Sequence, residues 1–154
     1  MKIGVTCALS APKNVPFPIV SPDIYQTIDY LSDNGFDSIE LHLLRPDEID
    51  GDRLGAYCQS RGIFVSSIGT GMTYNKEGLS LITPNKELRK KAIQRLKDHL
   101  DLAARLACCV IIGSVRGRIS ADQNFSVVEQ HFVDSCSALC EYAEKKNACY
   151  VIEA

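Results

Sequence analysis

The sequence predicts an α/β fold with a parallel sheet, of the (β/α)8 TIM-barrel type but incomplete, holding the first five strands and four helices. Three observations carry this. Strand-like and helix-like runs alternate along all 154 residues, with no linker or low-complexity stretch between them. The run at 108–113 is apolar without interruption, as in a strand covered on both faces. The chain finishes on a bare strand at 149–153, whereas an open sheet usually closes with a covering helix, and a whole barrel needs about 250 residues. A complete, doubly wound sheet of five strands also fits the length, but the uncovered last strand favours the barrel. Residues 1–154 read as a single domain, the N-terminal portion of such a barrel.

Residues 2–7 form a short apolar strand, followed by a proline-rich loop (Pro12, Pro16, Pro18). Ser21-Pro22-Asp23 opens the first helix as an N-cap with proline at the first helical position, where its missing N–H costs nothing. Ile24, Ile28 and Leu31 give that helix its apolar stripe, and Gly35 suits the left-handed residue after its end. Ser38-Ile39-Glu40-Leu41-His42-Leu43 is the second strand, and a helix over 52–61 closes at Gly62. The third strand, 63–68, runs into Gly69-Thr70-Gly71, which reads as a simple turn. Thr83-Pro84 starts the longest helical signal, in which Leu88, Ile93, Leu96, Leu100, Ala103 and Leu106 keep helical spacing. Strand 108–113, a helix over 124–146 and strand 149–153 complete the order. Right-handed crossovers then make the sheet parallel.

Composition excludes several classes of function. The net charge of −2 argues against a protein that grips nucleic acid through a basic face. No apolar run approaches the roughly 18 residues of a membrane span, and the N-terminal apolar stretch is too short for a signal peptide. A cytoplasmic location is the expectation. Seven cysteines, an odd number without a C-x-x-C pair, are expected to pack as small hydrophobes. No G-x-S-x-G elbow, phosphate-binding loop of the Walker type or H-E-x-x-H motif occurs.

Three stretches, taken in order, resemble one superfamily. These are Gly35-Phe36-Asp37-Ser38-Ile39-Glu40-Leu41; then Gly78-Leu79-Ser80-Leu81 with Pro84, Arg89 and Leu102-Ala103-Ala104; then Ile112-Gly113-Ser114-Val115-Arg116-Gly117 with Val151-Ile152-Glu153. The chain is similar to the xylose-isomerase-like barrels, in particular the sugar phosphate isomerase/epimerase branch that includes tagatose and psicose 3-epimerases. The resemblance covers the first five-eighths of that barrel.

It implies a metal-dependent proton transfer beside a sugar carbonyl, through an enediolate. In the family a divalent ion (Mn, Mg or Co), held by Glu, Asp, His and Glu, acts as Lewis acid, and carboxylates do the acid–base work. Glu153 matches the first ligand position, which also serves as an acid/base in the epimerases. Counterparts of the other ligands would lie beyond Ala154. One carboxylate cannot hold an ion that takes about six ligands, so this chain alone is expected to bind no metal and to be inactive.

Glu40 and His42 alternate with Leu41 and Leu43, so both face one side of their strand. There they can bind sugar, or form a hydrogen-bonded pair in the barrel interior. Arg116, with Arg118 beyond it, follows the fourth strand, where an arginine can clamp a phosphate or sugar acid. Solvated loop arginines are the alternative. His99 is expected at the surface, among Lys97, Asp98 and Asp101, and His131 in half-buried packing.

The expected partner is a small sugar or sugar phosphate, with no nucleic acid and no membrane. Unpaired sheet edges would allow a homo-oligomer. The alternatives are a non-catalytic half-barrel that binds or is vestigial and, more distantly, a relative of the DNA-repair enzyme endonuclease IV. The latter needs extra histidines and a basic surface that this sequence lacks.

Overall fold

A computed structural model describes residues 1–11 and 15–153; Pro12 of the proline-rich loop, and Ala154, lie outside the described residues. One parallel six-stranded sheet contains β1 (Gly4–Ala8), β2 (Ile19–Val20), β3 (Ser38–His42), β4 (Phe64–Gly69), β5 (Cys109–Ile112) and β6 (Tyr150–Ile152). The helices are α1 (Ile24–Asp33), α2 (Gly51–Ser60), α3 (Gly71–Glu77), α4 (Lys86–Arg105) and α5 (Phe125–Lys146).

Strand order β2-β1-β3-β4-β5-β6 decides between the two architectures. Apart from the two-residue β2, the strands lie side by side in chain order. Right-handed crossovers that always advance in one direction put every long helix on the same face. A doubly wound sheet reverses direction at a switch point, and no such reversal occurs among the described residues. This is the winding of a barrel segment.

Packing agrees. Ile28 and Leu31 of α1, Leu54 and Cys58 of α2, Leu96 and Leu100 of α4 and Leu139 of α5 share one buried cluster with Ile39, Leu41, Ile68 and Val110 of the sheet. Each such side chain contributes about 1.5–3 kcal/mol by leaving water. Strand alternation sends the intervening residues to the opposite, concave face. There Thr6, Glu40 and Ser67 are joined by hydrogen bonds.

The expected elements are present, with local corrections. Asp23, not Ser21, caps α1: its carboxylate accepts from the amides of Tyr25 (3.0 Å) and Gln26 (3.2 Å). Ser21 Oγ accepts from the Asp23 amide, so Pro22 lies ahead of the helix. Asn85 likewise displaces Thr83-Pro84 as the cap of α4, and Leu88 is exposed rather than part of the apolar stripe. Gly35 and Gly62 hold the expected left-handed conformation past α1 and α2, with φ of +75° and +69°.

Among the described residues β2 and α3 are additional, beside two single 3-10 turns at Pro46–Glu48 and Ser114–Arg116. Ile19–Val20 pairs with Cys7 and Ala8 of β1, a contact too short to leave a periodic signal. Gly69-Thr70-Gly71 is a strand-to-helix junction rather than a simple turn, because α3 begins at Gly71. Burial of Met72 and Thr73 holds this seven-residue helix in place.

Two burial expectations are overturned. His99 is fully buried, not at the surface, because it shares the inward face of α4 with Leu96, Leu100 and Ala103. Its Nδ1–H donates to the Arg95 carbonyl (2.8 Å). The cysteines do not all serve as core packing: Cys7 and Cys58 do, whereas Cys140 and Cys149 are exposed and Cys108, Cys109 and Cys136 half-buried. His131 is half-buried, as expected. No helix among the described residues is long and apolar enough to cross a membrane.

Candidate functional site

A parallel sheet gathers the C-terminal ends of its strands at one rim, which is where barrel enzymes place their chemistry. At that rim a hollow of about 160 Å³ is lined by Phe17, Glu40, His42, Gly69, Asn75 and Glu153, among others. It brings together three of the four site residues singled out in the sequence.

Glu40 and His42 are paired. The Glu40 Oε1–His42 Nε2 distance is 2.8 Å, with side chains 31% and 17% exposed. The same carboxylate accepts from Ser67 Oγ (3.2 Å) and Thr6 Oγ1 (3.4 Å). Both partners stand opposite Glu40 in the registers of β3 with β1 and with β4. The His42 hydrogen bond holds the Glu40 carboxyl below its ordinary value of 4.5, against the opposing effect of burial. Glu40 is therefore an anion near neutral pH, and an anion only accepts. The proton of neutral His42 must sit on Nε2, leaving Nδ1 as a lone pair with no partner among the described residues.

Two glycines make room for this arrangement. A Cβ on Gly69 would lie 2.2 Å from His42 Cε1, so the imidazole rests directly on the β4 backbone. A Cβ on Gly113 would lie 2.6 Å from Glu153 Oε2. Phe17, from the loop after β1, packs its ring against His42, with centroids 4.8 Å apart and a 56° tilt.

Arg116 does not line this hollow. Its Nη1 donates to the backbone carbonyl of Glu153 (2.6 Å), which fixes the end of β6. Arg116 and the exposed Arg118 instead border a neighbouring hollow of about 580 Å³ with Phe125 and Phe132. Among the described residues no group of three His, Cys, Asp or Glu side chains is arranged to hold a metal ion. Glu153 supplies one oxygen donor, and the described residues alone do not fit the divalent ion that the resemblance implies.

Phe17, Thr6 and Ser67 were not singled out in the sequence; Gly69 was read only as part of a turn and Gly113 only within the resemblance. Thr6 and Ser67 do carry a signal, as polar residues at inward positions of apolar strands. The two glycines and Phe17 carry none without the register that juxtaposes them.

The family model described as "Xylose isomerase-like TIM barrel" matches residues 28–154. No curated protein matches the sequence. Among solved structures, the apo form of 3-keto-D-glucoside 4-epimerase, YcjR, from E. coli is similar, with a TM-score of 0.73 at 16% identity over 99% of this chain and 55% of that one. D-psicose 3-epimerase with D-tagatose from Clostridium cellulolyticum H10 gives 0.73 at 18% identity, over 100% of this chain and 52% of the other. An AP endonuclease, family 2, from Brucella melitensis gives 0.68 at 15%, over 99% and 55%. At these identities the likeness is one of fold. The chain spans about half the length of the structures it matches.

Proposed function

The chain belongs to the xylose isomerase-like TIM barrel family, and from that premise we propose that it is a sugar isomerase/epimerase-like protein whose described residues form part of a keto-sugar site. One observation carries this reading: a carboxylate-oriented histidine and a second carboxylate, Glu153, line the same hollow at the C-terminal rim. Neighbouring polar groups of opposite hydrogen-bonding capacity are what a polyol requires. In this reading Glu153 moves a proton at the carbon beside the sugar carbonyl. Nδ1 of His42 accepts from a hydroxyl, and Phe17 offers an apolar face to the sugar carbons.

Arg116 acts as a positioning residue by holding the strand that carries Glu153. The Lewis-acid chemistry of a divalent ion would need donors besides those described. The described donor set gives specific support to a second reading, a non-catalytic binding module with the same sugar site.

Ligand-observed NMR with unphosphorylated and phosphorylated ketoses, repeated in D2O with Mn2+ present, tests both readings. Ketose binding that His42→Ala abolishes supports the shared site. Deuterium appearing beside the carbonyl, and lost in Glu153→Gln, supports the isomerase reading. Binding without exchange supports the binding module, and no ketose binding refutes both.

A further inference from the structure

At the opposite end of the sheet lies a larger hollow, of about 1150 Å³, whose lining includes Ser66, Cys108, Cys109, Cys140, Cys149 and Tyr150. None of these residues takes part in the rim chemistry. The ladder between β5 and β6 pairs Val110 with Tyr150, and the Val110 amide donates to the Cys149 carbonyl (3.1 Å). One residue earlier, Cys109 therefore stands opposite Cys149, with both side chains on the same face of the sheet. Adjacent strands lie about 4.8 Å apart, inside the roughly 4.4–6.8 Å Cα separation that a disulfide spans. Cys149 is exposed and Cys109 half-buried, its Sγ 3.8 Å from the Ser66 carbonyl.

We propose that Cys109 and Cys149 form an oxidisable dithiol that a hydroperoxide converts to a disulfide bridging β5 and β6. The exposed Cys149 thiolate attacks the peroxide O–O bond, becoming a sulfenic acid and releasing the other oxygen as hydroxide. Cys109 thiolate then attacks the Cys149 sulfur, forming the S–S bond and expelling the second hydroxide. Two thiols lose two electrons and two protons, and hydrogen peroxide becomes two waters.

Cys108 is a poor competitor. It packs against the helix-side core, on the face opposite Cys109, and burial, followed by the neighbouring thiols, pushes its pKa up to about 12. Burial also raises the Cys109 thiol, so position rather than acidity selects Cys109. The bridge would add a covalent tie to the strand that carries Glu153. The proposal does not depend on the sugar-site reading.

The test is to treat the reduced chain with hydrogen peroxide and map a tryptic digest without reductant. Cleavage after Arg105, Arg116, Arg118, Lys145 and Lys146 puts Cys108 and Cys109 in one peptide, Cys136 and Cys140 in a second and Cys149 in a third. The expected product joins the first and third peptides and is reversed by dithiothreitol. It persists in Cys108→Ser and is lost in Cys109→Ser. A link that survives Cys109→Ser, a link from Cys149 to Cys140, or oxidation of Cys149 to sulfinic acid in the wild-type chain without any link would overturn the proposal. If a serine variant folds poorly, backbone fragmentation of the linked wild-type peptide between Cys108 and Cys109 decides which of the two carries the bridge, and a bridge on Cys108 overturns the proposal.

Discussion

Replacing Gly69 with alanine tests whether His42 is held where the structure places it. Gly69 is not among the left-handed glycines, so an alanine backbone fits there. Its Cβ would sit 2.2 Å from His42 Cε1 and 2.3 Å from Nε2, and the imidazole must move off Glu40. Losing a hydrogen bond to a charged group costs about 1.5–3 kcal/mol. With the pair 31% and 17% exposed, the lower end of that range applies. Alanine restricts the unfolded chain and returns about 0.4–1 kcal/mol. The expected net loss is about 1 kcal/mol, or roughly 2–4 °C in Tm for a chain of this size. In a His42→Ala background the clash is gone, so the same substitution should be neutral or stabilising by about 0.5 kcal/mol. Urea denaturation of the four proteins in a double-mutant cycle measures the difference. Equal destabilisation in both backgrounds would refute the contact and with it the geometry argued for the site.

Three further outcomes are expected. Burial lowers the His99 pKa from 6.5, and the His42 hydrogen bond lowers that of Glu40 from 4.5. In both cases the unfolded chain takes up its proton first as pH falls. Tm should therefore decline in two stages, beginning below about pH 6.5 and again below about pH 4.5. His99→Gln should remove the first stage and Glu40→Gln should shrink the second, to which Asp101, held low against burial by Lys146 and Tyr142, also contributes. Arg116→Ala deletes the donor to the Glu153 carbonyl, and amide exchange at the end of β6 should quicken by about ten-fold, the equivalent of roughly 1.4 kcal/mol; unchanged exchange would remove Arg116 from its positioning role. Val151 and Ile152 of β6 are 47% and 57% exposed, so concentration-dependent association is expected in sedimentation, and Ile152→Lys should weaken it; a monomer at all concentrations would contradict this.

How much of this was legible in the sequence depended on the range of the signal. The five main strands and four long helices announced themselves through local periodicity. Gly35 and Gly62 marked helix ends because only the local chain reversal matters there. Caps were misplaced where two candidates lay within two residues: Ser21 and Asp23 both cap well, and only the three-dimensional reach of the Asp23 carboxylate chooses between them. α3 and β2 are too short for periodicity and exist through tertiary contact. His99 was misjudged because its sequence neighbours are charged, although its helical neighbours at Leu96 and Ala103 are not. The alternation of Glu40 and His42 showed that they share a face. Their pairing, two residues apart on one strand, was among the expectations; the Thr6 and Ser67 partners and the glycines beneath the site depend on strand register, which no local pattern encodes.

The registers also explain why a carboxylate can sit on the concave face at all. Alone and part-buried, the Glu40 anion would be driven toward its neutral form. Its partners come from three adjacent strands: Thr6 from β1, His42 from β3 and Ser67 from β4. Thr6 and Ser67 stand opposite Glu40 in the parallel ladder and His42 two residues along its own strand, so no loop is needed to place them. Because Glu40 stays ionised, Nε2 of His42 carries the proton that bonds it, and Nδ1 has no partner among the described residues. Glu153 depends on different parts: the space over Gly113 and the Arg116 anchor, both just beyond β5. The rim hollow thus joins two independently supported groups. The strand pairings that hold them also form the core of the sheet, so the preorganisation of the site and the stability of the fold rest on the same ladder.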